Sequence, residues 1–169
     1  YDAAAAFCDS GYLLSIRRTA AAGDAARIAA EEGGDYDTVV AVGGDGTLNE
    51  VISGLSALEH PPVVGYLPQG STNDFAASLN IPSDPAAAAQ AVVRGETRKL
   101  DIGCFGNRLF VYVASFGAFT RTSYAVSQEV KNALGHFGDL LEGIRDLNTL
   151  RPYHVRITAD GENLDGDYL

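Results

Sequence analysis

The chain has 169 residues, of which 46% are hydrophobic and 20% charged, which is the composition of a folded domain rather than of a disordered chain. Its 22 acidic and 12 basic residues give a net charge of -10, which argues against binding to nucleic acid or to an anionic membrane surface. The two cysteines exclude a disulfide scaffold, and no Cys/His cluster indicates zinc. No apolar run approaches the ~18 residues of a membrane-spanning helix, and we expect a cytosolic protein.

Alternating helix and strand signals fill residues 12–95. The predicted elements, in chain order, are a helix over Asp24–Glu32, a strand over Thr38–Val42, a helix over Thr47–Leu58, a strand over Val63–Leu67, and helices over Asn73–Leu79 and Asp84–Arg94. Both strands are continuous apolar runs, which is typical of parallel strands buried on both faces of a sheet. The order of elements therefore predicts an α/β fold with crossovers between parallel strands.

The pattern changes near residue 98, where antiparallel hairpin signals replace it. The predicted elements are a hairpin over Leu100–Ser115 with a turn at Gly106-Asn107, helices over Gln128–Leu134 and Phe137–Leu147, and a hairpin from Tyr153 onward with a turn at Asp160-Gly161. We therefore predict a Rossmann-like nucleotide-binding domain over residues 1–97. An incomplete, β-rich antiparallel sandwich domain is predicted over residues 98–169.

The first candidate site is the segment 42–50, VGGDGTLNE, directly after a predicted buried strand. Its glycines permit positive φ and let backbone N–H groups approach a ligand closely. A helix begins in this segment, and its N-terminus favours phosphate. Because an acid among phosphates would repel them, Asp45 indicates Mg²⁺, held directly or through water. The alternative is a tight turn in which Asp45 caps the helix.

The second candidate site is the segment 67–75, LPQGSTNDF, which also follows a predicted buried strand. Gly70 frees the backbone, Ser71 and Thr72 offer hydroxyl groups, and Asn73 and Asp74 can pair with a sugar, a base or a metal-bound water. The alternative is an Asx-rich cap at the start of a helix. Two such loops after successive strands converge on one crevice of an open sheet, and together they predict a nucleotide site.

These two segments resemble the catalytic domain of diacylglycerol kinases and their bacterial lipid-kinase relatives, a pattern shared with sphingosine and ceramide kinases. The family signature GGDGTxNEVxxG is matched from Gly43, and PxGTxNDFAxxLxIP is matched from Pro68 to Pro82. A third stretch, xxxDxG, is matched by Lys99–Gly103. The resemblance runs through essentially the whole chain, and the double motif is highly specific.

The resemblance implies a site for ATP and Mg²⁺. The residues that it places in contact with the nucleotide are Thr19, Gly43, Gly44, Asp45, Gly46, Thr47, Leu48, Asn49, Ser71, Asn73 and Asp74. Ser71 stands where the family has a threonine, and Thr19 begins a Thr-x-x-x-Gly-Asp-Ala pattern. Asp45, Asp74 and Asp101 match acids that organise Mg²⁺ and its waters around the phosphates.

Two parts of the family pattern are not matched. The family's first strand and its Asn-Pro-x-Ser-Gly phosphate loop are absent, so we expect Tyr1 to lie downstream of them and interpret the chain as a fragment. The family's Asp-Asp-Gly segment, with the general base and a structural metal site, would lie beyond Leu169, so no catalytic base is named. Glu142 stands where bacterial relatives often carry a lysine, so the resemblance does not extend to a membrane or headgroup contact at this position.

The resemblance implies ATP-dependent phosphorylation of a lipid hydroxyl, most simply that of diacylglycerol to give phosphatidic acid. It also implies a cytoplasmic protein that associates peripherally with the membrane holding its lipid substrate, and it leaves a homodimer open. One alternative is a soluble-substrate kinase of the NAD kinase or phosphofructokinase type, which shares the GGDG turn but typically lacks the Asn-Asp-Phe loop at 73–75. The other is a non-catalytic nucleotide-binding regulator.

Overall fold

The structure, a computed structural model, describes residues 2–115 and 151–168. The chain divides into two compact units, Tyr1–Val113 and Ala114–Leu169. Within the described ranges, every helix is too short or too polar to cross a lipid bilayer.

The first unit is a mixed α/β arrangement built around a pair of parallel strands. Its described elements are α1 (Asp2–Asp9), α2 (Asp24–Glu32), a 3₁₀ turn (Gly33–Asp35), β1 (Thr38–Gly43), α3 (Asp45–Leu55), β2 (Val63–Pro68), α4 (Asp74–Ser78), α5 (Pro85–Arg94), β3 (Gly103–Phe105) and β4 (Arg108–Phe110). Helices alternate with the two parallel strands in chain order, as the sequence predicts. The α/β character is therefore confirmed.

The helix boundaries follow local signals closely. Helix α2 begins and ends where its alanine-rich pattern predicts. Helix α5 begins at Pro85, one residue after the predicted start, because Asp84 is its cap: the Asp84 carboxylate accepts the N–H of Ala87 at 2.8 Å. Helix α3 starts before its predicted first residue, because the N–H of Leu48 already donates to the carbonyl oxygen of Gly44 at 3.1 Å.

Strands β1 and β2 pair in parallel, with register from Thr38 opposite Val63 to Gly43 opposite Pro68. The prediction of a strand buried on both faces holds for the second half of β2 but is wrong for β1, in which Val42 is 57% exposed. The reason is that β1 lines a cavity of about 1100 Å³, together with residues 12–17. Side chains along this cavity lack the packed neighbours that a two-sided core supplies.

The main core lies where α2 and α3 pack on the sheet. Its buried members are Ala25, Ala29, Ala41, Leu48, Val51, Leu55, Tyr66 and Ala76. Helical spacing in the sequence places Leu48, Val51, Ile52 and Leu55 on one side of α3, and this side faces the core. A second cluster joins α1 and α5 to β2 through Ala6, Phe7, Leu67, Ala88 and Ala89.

Gly54 determines how closely α2 and α3 approach. A Cβ atom at Gly54 would overlap the carbonyl oxygen of Ala26 and lie 2.9 Å from the Cβ of Ala29. We expect Gly54→Ala to lower the free energy of unfolding by about 2 kcal/mol, because the helices must move apart. Gly34→Ala is the matched control, since its Cβ would approach only the Leu58 side chain, at 3.8 Å. Urea unfolding measures both, and equal stabilities would contradict this account of the interface.

Strands β3 and β4 form a short antiparallel hairpin at the end of the first unit. Gly103 pairs with Phe110 and Phe105 with Arg108, and Gly106 in the turn has a φ of 64°. The predicted turn is confirmed, although both strands are shorter than the predicted range 100–115.

The second unit contains a longer antiparallel hairpin, β5 (Tyr153–Ala159) paired with β6 (Glu162–Tyr168). Asp160 and Gly161 connect them with φ values of 51° and 86°, the pattern of a type I′ turn, and the predicted turn is confirmed. The helices predicted within 128–147, and Glu142 among their residues, lie outside the described residues.

Candidate functional site

Two loops leave the sheet at the same end, because β1 and β2 are parallel and in register. We call residues 43–46 the glycine loop and residues 69–73 the asparagine loop. The N–H of Gln69 donates to the carbonyl oxygen of Gly43 at 2.7 Å. A Cβ atom at Gly70 would overlap the Cα of Gly44, so the two loops touch backbone to backbone. The predicted convergence of the loops is confirmed.

Asp45 joins the glycine loop, through its carboxylate, to the start of α4 directly after the asparagine loop. It is the first residue of α3, yet its two oxygens accept the N–H groups of Asp74 and Phe75, each at 3.1 Å. Asp45 therefore caps α4, which receives no side-chain cap from its own N-cap residue, Asn73. The sequence offers Asp45 as a cap of the helix that begins beside it. Asp45 does act as a cap, but the helix that it caps is α4 and not α3. Each carboxylate oxygen keeps a further acceptor position, so a metal-bound water still fits there.

Asn73 shapes the asparagine loop from within. Its backbone is left-handed, with φ 55° and ψ 44°, a conformation that asparagine tolerates better than most residues. Its Oδ1 accepts the N–H of Gly70 at 2.9 Å, and its Nδ2 donates to the carbonyl oxygen of Gly70 at 2.8 Å. The amide is thus used in closing the loop, and a contact between Asn73 and a nucleotide stays a prediction.

Tyr66 supports the asparagine loop from β2. Its side chain is buried, and its hydroxyl donates to Oδ1 of Asn73 at 3.4 Å. Burial, with a smaller contribution from the negative charge of Asp45, raises the pKa of Tyr66 to about 12. The phenol therefore remains protonated and available as a donor at any physiological pH.

The N-terminus of α3 presents backbone donors to open space. The first helical hydrogen bond is made by Leu48, so the N–H groups of Asp45, Gly46 and Thr47 have no partner within the helix. Gly46 is exposed, and a Cβ atom built on it would meet nothing within 4 Å. Donors at a helix N-terminus beside an open glycine form an arrangement that binds phosphate oxygens.

A third segment, residues 19–23, which we call the threonine loop, lies next to α3. The N–H of Gly23 donates to Oε1 of Glu50 at 2.9 Å. Glu50 lies within the motif that the sequence singles out, but nothing local to that motif indicates its partner. Only the packing of α2 on α3 brings Gly23 into reach.

Asp24 folds the threonine loop onto its own helix. Its Oδ2 accepts the N–H of Ala20 at 2.8 Å and that of Ala21 at 3.0 Å. These two bonds, with a smaller effect of the nearby Arg27, hold the pKa of the Asp24 carboxyl below its usual value. Thr19, at the beginning of the loop, is exposed.

Two residues expected at the nucleotide lie behind the glycine loop. The side chain of Leu48 is only 1% exposed and belongs to the core. Its side chain thus packs in the core, and a contact between Leu48 and a nucleotide stays a prediction. Asn49 donates from its Nδ2 to the carbonyl oxygen of Leu109 in β4, at 3.2 Å, and so anchors the hairpin. A contact between Asn49 and a nucleotide stays a prediction.

The model of the diacylglycerol kinase catalytic domain matches residues 2–105 of this chain. The chain belongs to this family. It is 39% identical over 165 residues to a diacylglycerol kinase of Bacillus subtilis (strain 168), covering 96% of this chain and 54% of the relative. It is 36% identical over 163 residues to a diacylglycerol kinase of Staphylococcus aureus (strain JH9), covering 95% of this chain and 51% of the relative.

Solved structures agree with this family assignment. A crystal structure of a diacylglycerol kinase from Bacillus anthracis str. Sterne is similar with a TM-score of 0.73 and 30% sequence identity, over 98% of this chain and 53% of that chain. The chain thus spans about half the length of the relatives that it matches.

In this member of the diacylglycerol kinase family, the three acids predicted around Mg²⁺ lie on three segments. Asp45 begins α3, Asp74 begins α4, and Asp101 is exposed before β3. Among the residues that the structure describes, no three His, Cys, Asp or Glu side chains are grouped so as to hold a metal ion. One or two carboxylates at an open phosphate site still fit Mg²⁺, which keeps several waters and takes further ligands from substrate phosphates. The Mg²⁺ assignment stays a prediction.

Proposed function

We propose that this chain forms the nucleotide-binding part of a lipid kinase that transfers the γ-phosphate of ATP to the hydroxyl of diacylglycerol, giving phosphatidic acid. The observation that carries this proposal is the open N-terminus of α3 at Asp45–Thr47, where the Asp45 carboxylate joins the glycine loop to the start of α4. Membership of the diacylglycerol kinase family supports the reaction class. The names of the relatives support the lipid substrate.

ATP binds in this proposal with its phosphates against the N-terminus of α3. The N–H groups of Asp45, Gly46 and Thr47 donate to phosphate oxygens, and the absence of a side chain at Gly46 permits close approach. The exposed hydroxyl groups of Ser71 and Thr19 come from the asparagine loop and the threonine loop. The helix dipole favours the negative charge of the phosphates.

The chemical step is phosphoryl transfer. The lipid hydroxyl oxygen bonds to the γ-phosphorus, the bond from that phosphorus to the bridging oxygen of ADP breaks, and ADP leaves with the electron pair. The hydroxyl proton passes to a carboxylate base, which we assign to none of the described residues. Mg²⁺, when bound near Asp45, Asp74 and Asp101, neutralises phosphate charge. This chain contributes backbone donors and orientation of the triphosphate.

The domain arrangement follows from the same proposal. Residues 1–97 form a Rossmann-like nucleotide-binding domain, supported by the parallel pair β1–β2 and its packed helices. Residues 98–169 begin a β-rich sandwich domain that holds the lipid, supported by the antiparallel hairpin β5–β6 of the second unit, whereas β3–β4 belongs to the first unit. The net charge of -10 opposes approach to anionic lipid, so a local basic surface must bring this peripheral enzyme to a cytoplasmic membrane face.

A transfer assay tests the proposal on the full-length protein. Labelled ATP and Mg²⁺ are supplied with vesicles that contain diacylglycerol, sphingosine or ceramide, and in parallel with soluble NAD or fructose 6-phosphate. We expect label in phosphatidic acid from the diacylglycerol vesicles. Label in a soluble acceptor alone would refute the lipid kinase, and binding of ATP without transfer to any acceptor would favour a regulator. Transfer to sphingosine alone would replace the proposed lipid.

A further inference from the structure

We propose that Glu50 is a positioning residue for the nucleotide, acting through the threonine loop. It does not touch ATP in this proposal. Its carboxylate accepts the N–H of Gly23 at 2.9 Å and so ties the threonine loop to α3, and Thr19 of that loop lines the same cavity as Thr47 in the first turn of α3. This inference rests on the proposed nucleotide site and adds a residue that determines how well that site is formed before ATP binds.

The threonine loop has little buried surface to hold it in place. Residues 19–23 are all exposed, so apolar packing contributes little to their order. The bonds from Ala20 and Ala21 to Asp24 fold the loop onto α2, the helix that follows it. Among the described residues, the bond to Glu50 is the hydrogen bond that ties the loop to α3. Removing it leaves the loop attached to α2 alone.

The geometry around Gly23 makes this bond specific. Gly23 is the N-cap residue of α2 and has a left-handed backbone with φ 87°, and no side chain caps the helix there. Glu50 and Gly54 lie one turn apart on the same side of α3. Because Gly54 lets the carbonyl of Ala26 approach closely, α2 lies near enough for Glu50 to reach its N-cap.

The charge of Glu50 also needs a local partner. Glu50 lies about one helical turn after the donors at Asp45–Thr47. If its carboxylate turned toward these donors, its negative charge would repel an incoming phosphate. The bond to Gly23 keeps that charge at the start of α2, where the positive end of a second helix dipole lies. A loop that is already ordered adds less entropic cost to ligand binding, so the bond acts mainly on affinity for ATP.

The test compares Glu50→Ala and Glu50→Gln in the full-length protein, with Glu31→Ala as the control. Glutamine retains an acceptor oxygen for Gly23, whereas alanine does not. Glu31 is exposed on α2 and pairs with Arg27 among the described residues, so its loss removes a nearby carboxylate without breaking the bond between Glu50 and Gly23. Readouts are the Kd for ATP by calorimetry, KM and kcat in the transfer assay, and hydrogen exchange of the loop amides.

We expect Glu50→Ala to raise the Kd and KM for ATP by about tenfold, the size of one hydrogen bond to a charged group, with a smaller change in kcat. Glu50→Gln should stay within about threefold of wild type, since a neutral acceptor keeps most of the bond. Exchange at Ala20–Gly23 should accelerate in Glu50→Ala alone. Glu31→Ala should match wild type in every readout.

Two outcomes would overturn the inference while leaving the proposed function intact. One is an unchanged Kd for ATP in Glu50→Ala when wild type binds ATP. The other is a Glu50→Gln variant as impaired as Glu50→Ala with normal loop exchange, which would assign Glu50 a direct role through its charge. If wild type binds no ATP at all, the proposed function itself fails, and accelerated exchange in Glu50→Ala would still establish the structural link.

Discussion

Replacing Asp45 by alanine is expected to weaken both the fold and nucleotide binding. The N–H groups of Asp74 and Phe75 would lose their acceptor, and two hydrogen bonds to a charged group are together worth about 3 kcal/mol or more of unfolding free energy. The start of α4 would then be held less firmly against the glycine loop, so we expect ATP affinity to fall by about tenfold or more. Urea unfolding measures the first effect and calorimetry the second.

Asp45→Asn separates the cap from the predicted role at Mg²⁺. Its amide oxygen can still accept one of the two N–H groups, so we expect part of the lost stability to return. The Mg²⁺-dependent part of ATP binding should not return, because a neutral amide is a poorer partner for the cation. Asp35→Ala, at an exposed acid in the 3₁₀ turn, serves as the control. Full recovery of Mg²⁺-dependent ATP binding in Asp45→Asn would contradict the predicted role at Mg²⁺ and leave only the capping of α4 for Asp45.

Alanine at Gly46 and alanine at Gly70 should have opposite effects on stability. A methyl group at Gly46 meets nothing within 4 Å and lies in α3, where alanine is favoured over glycine by about 1 kcal/mol. A methyl group at Gly70 would overlap the Cα of Gly44 and cost about 2 kcal/mol. Thermal unfolding should therefore show a rise for Gly46→Ala and a fall for Gly70→Ala.

The same pair of variants locates the phosphates. We expect both to lower ATP affinity, Gly46→Ala by about tenfold, because its methyl group occupies the space that a phosphate needs for close approach to the N-terminus of α3. Loss of binding in a variant that is more stable than wild type cannot arise from unfolding. A Gly46→Ala variant that binds ATP like wild type would contradict the placement of the phosphates at this helix.

Several elements follow from local patterns alone. The alanine-rich stretch predicts α2 with its observed ends, and the spacing of apolar residues along α3 predicts the side that meets the core. The turns at Gly106-Asn107 and Asp160-Gly161 are equally local, because a left-handed backbone needs glycine, asparagine or aspartate. Such features depend on residues within a few positions of one another, so they can be predicted without knowing how the rest of the chain packs.

The family and the two converging loops were also accessible from the sequence, since each motif is contiguous and follows a strand. The burial of β1 was not, because an apolar run reports hydrophobicity but not which neighbours are present. Val42 remains 57% exposed beside the cavity that β1 lines. Leu48 shows the limit of a motif in another way: helical spacing already places its side chain on the apolar side of α3, where the structure buries it, whereas its contact with a nucleotide stays a prediction.

The sequence by itself determined the family, the α/β order of elements and the segments that carry the site. Only the tertiary structure decided what the polar side chains of these segments do. Asp45 caps α4, Glu50 holds Gly23, and Asn49 anchors Leu109, three partnerships across 29, 27 and 60 positions of the chain. A hydrogen bond needs its two atoms at about 3 Å, and for residues so far apart that distance is set by how strands pair and helices pack.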